Sequence, residues 1–160
     1  MNIFVVDKDP KIAARMLCDK HIVKMILESA QMLSTVARNC GYTNSILYAV
    51  GWAKHPCTLW AGETYSNWEW LCLHGIEMGN QYCQRYTKDF EKQHKSSYVI
   101  EYIYKNKLGP KEGSLTPFAQ AMPEEYKNTC AVTAYRNYYH GEKAYFAKWK
   151  NTNPPYWWEG

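Results

Sequence analysis

A thin polar stripe on a strongly apolar segment, residues 19–35, is the most informative pattern in the chain. The polar residues recur at steps of three and four, so on an α-helix they share one face. They are His21, Lys24, Glu28, Gln31 and Thr35. The residues between them are mostly apolar, which predicts a helix buried nearly all round. Because buried charges must pair or face a cavity, the stripe indicates an ion-pair ladder or a functional cavity, and spacing does not choose between them.

Proline, glycine and capping residues predict where the helices begin and end. Asp9 and Pro10 suit the cap and first turn of a helix that runs into, or kinks before, the striped helix, and Gly41 suits its end. Pro56 opens an aromatic helical pattern that reaches towards Phe90, with a bend at Gly62 as one alternative. The later expectations are a short helix capped by Ser96 or Ser97, a long ordered loop over 107–123, and a last helix over 130–149. Residues 42–54 are ambiguous, with a short helix after Asn44 as one interpretation.

The two chain ends carry apolar residues outside the predicted helices. Residues 2–6 are too short for more than a small extended arm, and the double proline at 154–155 excludes a helical tail. The three rings of Tyr156, Trp157 and Trp158 are too apolar to stay in water, so we expect a docked tail that closes the core or offers a stacking surface. The prediction is an all-α fold: one compact helical bundle over residues 1–160, with an N-terminal arm and an aromatic C-terminal tail.

Composition narrows the possible partners. The formal charge is +4, and 16% of the residues are aromatic, which permits nucleic acid as a partner without requiring it. The 6 cysteines form no CxxC pair or zinc-like spacing, so we expect reduced, buried thiols, no metal and no cofactor. There is no apolar run long enough for a membrane span and no signal peptide, so a cytoplasmic location is expected.

The stripe also has the residue types needed to cleave a glycosidic bond. Glu28 follows Lys24 by one helical turn and His21 by two. A carboxylate in such a setting suits proton transfer or stabilisation of an oxocarbenium-like centre. A desolvated Lys24 would lose its proton and become an amine nucleophile. An inert ion-pair ladder uses the same residues.

The run Asp19-Lys20-His21-Ile22, followed by Glu28, resembles the N-terminal motif of the phage pyrimidine-dimer DNA glycosylases of the endonuclease V type. Two weaker likenesses are the proline-opened aromatic helix over 56–85 and the aromatic, basic C-terminal portion. The chain is identified as a distant member of this family. The resemblance implies a small all-α domain, DNA as the partner and no metal.

The resemblance also implies a mechanism. The free N-terminal amine attacks C1′ of the damaged nucleotide, the base leaves, and a Schiff base leads to strand cleavage by β-elimination. Carried over, Glu28 is the catalytic carboxylate, His21 is its neighbour, and the base opposite or beside the lesion is flipped out of the stack. An α-amine suits this role because such groups keep a neutral fraction at physiological pH.

Asn2 departs from the family, whose proteins expose a small residue once the initiator Met is removed. Met1 is expected to be retained before Asn2, so the Met1 amine becomes the candidate nucleophile. Contacts to phosphate or nucleotide are expected from a wider set: Arg15, Lys20, Lys24, Gln31, His55, Trp60 and Arg136. Arg38 and Lys143 are better explained as solvated charges, and a capping or packing role for His55 is at least as well supported.

Two classes of function follow. The first is a DNA glycosylase and abasic-site lyase for damaged or modified pyrimidines, located in the host cytoplasm for a phage protein. The second is a nucleotide-binding protein or free-nucleotide N-glycosidase that keeps the fold and pocket without the lyase step. A purely structural role for the stripe is the remaining alternative.

Overall fold

The striped segment forms the central helix of an all-helical protein. In the computed structural model, which describes residues 1–160, it is helix α2 (Asp19–Asn39). Gly41 follows the helix with φ of 97°, a left-handed conformation that favours glycine, so the predicted helix end is confirmed. Helix α1 (Pro10–Met16) precedes it, and the Asp9 carboxylate accepts hydrogen bonds from two first-turn amides, as predicted.

The predicted single helix after Pro56 is in fact two helices. Helix α3 (Pro56–Glu63) ends at Thr64, whose extended backbone interrupts the pattern and whose hydroxyl accepts a hydrogen bond from the Asn67 amide. Helix α4 (Tyr65–Tyr82) starts there and continues into a π-helical turn over 83–87. The expected bend at Gly62 is therefore a full break, because Thr64 caps a new helix.

Three later expectations also need correction. Helix α5 (Lys95–Lys105) is capped by the His94 ring and not by a serine. Helix α6 (Ala131–Tyr138) passes into a π-helical turn over 139–143, so it ends well before residue 149. No helix forms after Asn44, while 107–123 is a loop as predicted.

Helix α2 lies at the centre of the packing. It contacts α3, α4 and α5, while α1 packs against α4, and one cluster of 31 buried residues forms the core. The predicted all-α, single-domain fold is confirmed. The prediction that α2 is buried nearly all round is wrong for one side of the helix, because Val23 and Leu27 are 37% and 41% exposed. No helix combines the length and apolarity that crossing a bilayer requires.

Both chain ends pack onto this core. Residues 2–6 form a short buried arm outside the helices, as predicted, but the arm is not extended throughout, because Phe4 turns it with φ of 38°. In the tail, Trp157 and Trp158 pack against Tyr139 and His140, so docking is confirmed for these two rings. Tyr156 is 80% exposed, contrary to prediction.

All six cysteines are free thiols, but only four are buried. Cys40 and Cys130 are exposed, which corrects the expectation of uniformly buried thiols. No group of three His, Cys, Asp or Glu side chains is arranged to hold a metal ion.

Candidate active site

The α-amine at the start of the arm meets the carboxylate of the striped helix. The Met1 nitrogen lies 2.9 Å from Glu28 Oε1. The Met1 side chain is only 2% exposed although the residue as a whole is partly accessible, so solvent reaches mainly its main-chain end. Oε1 is buried, and the Met1 amine is its only polar partner in the protein. The site therefore holds an accessible amine paired with a carboxylate oxygen that no other group occupies.

Lys24 supplies a second positive charge at the outer edge of this pair. Its Nζ lies 4.0 Å from Glu28 Oε2, one helical turn away, and its side chain is 72% exposed. The ammonium is solvated, so the desolvation that a nucleophilic Lys24 would need is absent. Lys24 is placed to add a cation in front of Glu28.

His21 does not form a ladder with these two groups. Its Nδ1 lies 2.6 Å from the Tyr139 hydroxyl, and its ring stacks on Phe4 at 4.1 Å between centroids. Burial, assisted by the charges of Lys143 and Lys24, lowers the pKa of His21 to about 3, so the ring is neutral. Its Nε2 has no partner in the protein and is not sealed from solvent.

The hydrogen bonds of Tyr139 indicate the tautomer of this ring. The Tyr139 oxygen accepts a hydrogen bond from the Cys18 amide at 3.2 Å, and the phenol proton has two acceptors within reach, His21 Nδ1 at 2.6 Å and Cys18 Sγ at 3.5 Å. The much shorter contact favours Nδ1 as the acceptor, and in that tautomer Nε2 carries the ring proton. Sequence reasoning missed Tyr139 because it lies 118 residues from His21 and no local pattern connects them.

The Asp of the motif is a structural residue. Asp19 lies 3.2 Å from the guanidinium of Arg85, whose side chain is fully buried, and it accepts hydrogen bonds from the Lys150 amide. Arg85 also donates to the carbonyls of Leu17 and Arg15. This cluster ties the start of α2 to the π-helical turn after α4 and to the C-terminal segment.

His55 combines a capping role with a position near the ion pair. Its Nδ1 accepts a hydrogen bond from the Cys57 amide at the start of α3. Burial and the positive Met1 amine lower the pKa of His55, while Glu28 partly opposes the shift. The predicted capping role of His55 is thus observed, and the charges of Met1 and Glu28 both affect the pKa of its ring.

Gln31 lines a cavity of about 590 Å³. Leu27, Val50 and the 62% exposed Trp52 form an apolar wall, and the start of α5 closes the opposite side. Glu28 does not line the cavity, although Leu27 and Gln31 flank it in α2. Trp52 adopts φ of 55°, a left-handed conformation that is strained for a non-glycine residue.

Other predicted contact residues lie elsewhere. Trp60 is 3% exposed and packs against Trp70 and Phe118, so the expectation that it lines a pocket is wrong: it is a core residue. Arg15 is exposed and pairs with Glu77 at 3.3 Å. Lys20 is exposed, with its Nζ 5.1 Å from the centre of the Phe146 ring.

Two arginines hold backbone segments together. Arg136 donates to the Val6 carbonyl at 2.9 Å and lies over the ring of Trp157, so it joins the arm to the tail. Arg38 donates to the Tyr48 carbonyl at 2.7 Å and is not a freely solvated charge. Neither guanidinium is as free for phosphate as Lys20 or Lys24.

Comparison with known proteins identifies a related family. A family model described as pyrimidine dimer DNA glycosylase matches residues 1–94, more than half of the chain. The matched region contains Met1, His21, Glu28 and His55, whereas Tyr139 lies beyond it. No curated protein and no solved structure matches the chain.

Proposed function

The chain belongs to the pyrimidine dimer DNA glycosylase family, and from this premise we propose that it releases damaged or modified pyrimidines from DNA and cleaves the strand as an abasic-site lyase. The observation that carries the proposal is the 2.9 Å approach of the Met1 amine to Glu28 Oε1. A nucleophile and a carboxylate at this separation satisfy the geometry that proton transfer requires.

The proposed reaction begins with the neutral Met1 amine. Its nitrogen attacks C1′, the C1′–N bond to the base breaks, and the departing base takes up a proton. The sugar ring opens to an imine between C1′ and Met1. Removal of a proton from C2′ then expels the 3′ phosphate, and water releases the unsaturated aldehyde and restores the amine.

Glu28 serves two steps of this scheme. Its carboxylate accepts the proton that the amine loses and stabilises positive charge that develops at C1′. Oε1 suits both roles because the Met1 amine is its only polar partner in the protein. Lys24 is solvated beside Glu28 and suits a phosphate oxygen, and Nε2 of neutral His21 offers a further donor.

The cavity beside Glu28 suits an extrahelical nucleotide. Its volume of about 590 Å³ lies within the range of small-ligand sites. Trp52 provides an exposed ring for stacking, and the Gln31 amide offers both a donor and an acceptor to a base edge. In the proposal, a flipped nucleotide places its base in this cavity and its sugar towards Met1 and Glu28, which lie outside the cavity lining.

The test is reductive trapping on a lesion-bearing duplex. Borohydride should convert the imine into a stable protein–DNA adduct, and Glu28→Gln should slow its formation by roughly 10²–10⁴-fold. The matched control is Glu101→Gln, an exposed position on α5 outside the site, which should trap at the wild-type rate. Absence of an adduct across a panel of pyrimidine lesions, with the Met1 amine verified as free, would refute the lyase proposal.

A free-nucleotide N-glycosidase is the second candidate. The size of the cavity and the single lysine beside Glu28 favour it, because a mononucleotide needs few phosphate contacts. Pyrimidine nucleoside monophosphates should then raise the melting temperature by mass action, and free base should appear without any borohydride-trapped adduct.

A further inference from the structure

Asn2 anchors the arm that carries the amine. It is 6% exposed. Its Oδ1 accepts hydrogen bonds from the Ile3 amide at 2.7 Å and the Phe4 amide at 3.1 Å. Its Nδ2 donates to the Ala121 carbonyl at 2.7 Å, which lies in the long loop. One side chain therefore binds the Ile3 and Phe4 amides and the long loop at the same time.

The backbone that Asn2 holds is unusual. Phe4 adopts φ of 38°, and its carbonyl accepts a hydrogen bond from the Val6 amide at 2.8 Å. A bulky residue rarely adopts positive φ unless the surrounding structure imposes it. An Asn side chain that caps the next two amides is a local device for such a turn.

The turn has two consequences for the candidate site. It directs the chain start back towards α2, where the Met1 nitrogen approaches Glu28. It also places the Phe4 ring flat against His21. Asn2 directly follows Met1, so only a few covalent bonds separate the Asn2 side chain from the amine. A change in the hydrogen bonds of Asn2 is therefore expected to shift the amine.

We propose that Asn2 is a positioning residue that aims the Met1 amine at C1′ through its hydrogen bonds to the Ile3 and Phe4 amides and to the Ala121 carbonyl. This inference rests on the proposed function. Asn2 acts through Met1 and touches no reacting atom. It ties the arm to the 107–123 loop.

The experiment measures the positioning of the Met1 amine separately from the binding of DNA. Asn2→Leu keeps a side chain of similar size and removes all three hydrogen bonds, whereas Asn2→Asp keeps the acceptor for the two amides and loses the donor to Ala121. Intact mass first verifies that Met1 is present with a free amine in each protein. Single-turnover trapping by borohydride then gives the rate of imine formation, and fluorescence anisotropy gives affinity for the same duplex.

We expect Asn2→Leu to trap about 100-fold more slowly, the cost of misplacing a reacting group by an ångström, with affinity unchanged within about twofold. Asn2→Asp should recover at least about tenfold of that loss, since it keeps the turn. Equal trapping by wild type and Asn2→Leu would overturn the inference alone. Should Asn2→Leu fail to fold, Asn2→Asp decides, because it lacks the hydrogen bond to Ala121: slower trapping at normal affinity supports the inference, and trapping at the wild-type rate would overturn it. No adduct from the wild-type protein would overturn the proposed function, and this inference with it.

Discussion

Asp19→Asn tests whether the motif aspartate is structural. Asp19 is the only carboxylate against Arg85, whose side chain is 0% exposed, and their nearest atoms are 3.2 Å apart. The substitution removes the negative charge but keeps a similar shape and an oxygen that accepts hydrogen bonds. The buried guanidinium then loses its counter-charge while its hydrogen bonds to the Leu17 and Arg15 carbonyls persist.

The expected loss of stability is about 3 kcal/mol, the lower end of the range for removing one partner of a buried ion pair. The lower end applies because Asp19 is 15% exposed and the carbonyls still share the charge of Arg85. For a chain of this length the melting temperature should fall by about 6–12 °C. Because Asp19 lies away from the ion pair of Met1 and Glu28, the rate of adduct formation per folded molecule should stay within about twofold of wild type.

The assay is urea unfolding at 25 °C, paired with single-turnover trapping well below the melting temperature of the variant. The exposed Asp9→Asn variant is the control for carboxylate loss at a helix cap, where less than about 1 kcal/mol is expected, because Asn caps a helix about as well as Asp and only the negative charge is lost. Unchanged stability with abolished trapping would refute the structural assignment and make Asp19 part of the chemistry.

Three further predictions follow from the same contacts. Tyr139→Phe removes the hydroxyl that contacts His21 Nδ1. The ¹⁵N NMR spectrum of the imidazole should show the Nε2–H tautomer in wild type and a mixture of tautomers in the variant, and an unchanged spectrum would contradict the assigned tautomer. Burial lowers the pKa of His74 from 6.5 to about 4, so between these pH values the unfolded chain binds more protons than the folded one, and the free energy of unfolding should fall as the pH drops from 6.5 to 4. Urea unfolding at several pH values should show a shallower fall for His74→Gln, and an equal dependence on pH in both proteins would disprove the linkage. Trp52→Gly relieves the strain of a left-handed backbone and removes a ring available for stacking, so the free energy of unfolding should stay within about 1 kcal/mol of wild type while duplex affinity falls about tenfold. An unaltered affinity in fluorescence anisotropy would exclude Trp52 from the DNA interface.

Local signals in the sequence were sufficient for much of the fold. Asp9 with Pro10, and Gly41 after α2, act within one helical turn, so their pattern predicts the helix ends directly. Thr64 carried a similar capping signal, but the continuous aromatic pattern around it concealed the break. His94 was missed because histidine is not among the side chains that commonly cap helices.

The candidate site was only partly predictable, because its contacts join distant parts of the chain. The spacing of the stripe placed Glu28 and Lys24 one turn apart, which the structure reproduces. The partner of His21 is 118 residues away, and the Ala121 carbonyl is 119 residues from Asn2. No periodicity reports such contacts. In the sequence, Asn2 is only a departure from the motif that the chain resembles, whereas in the structure its hydrogen bonds hold the arm.

Identifying the nitrogen that bears the trapped sugar tests the central claim most directly. The borohydride-reduced adduct is digested with nuclease and protease, and tandem mass spectrometry locates the residual sugar on one peptide. We predict that it lies on the α-nitrogen of Met1, the amine 2.9 Å from Glu28. An adduct on Lys24 Nζ, or on any other lysine, would contradict the proposal that the N-terminal amine is the nucleophile.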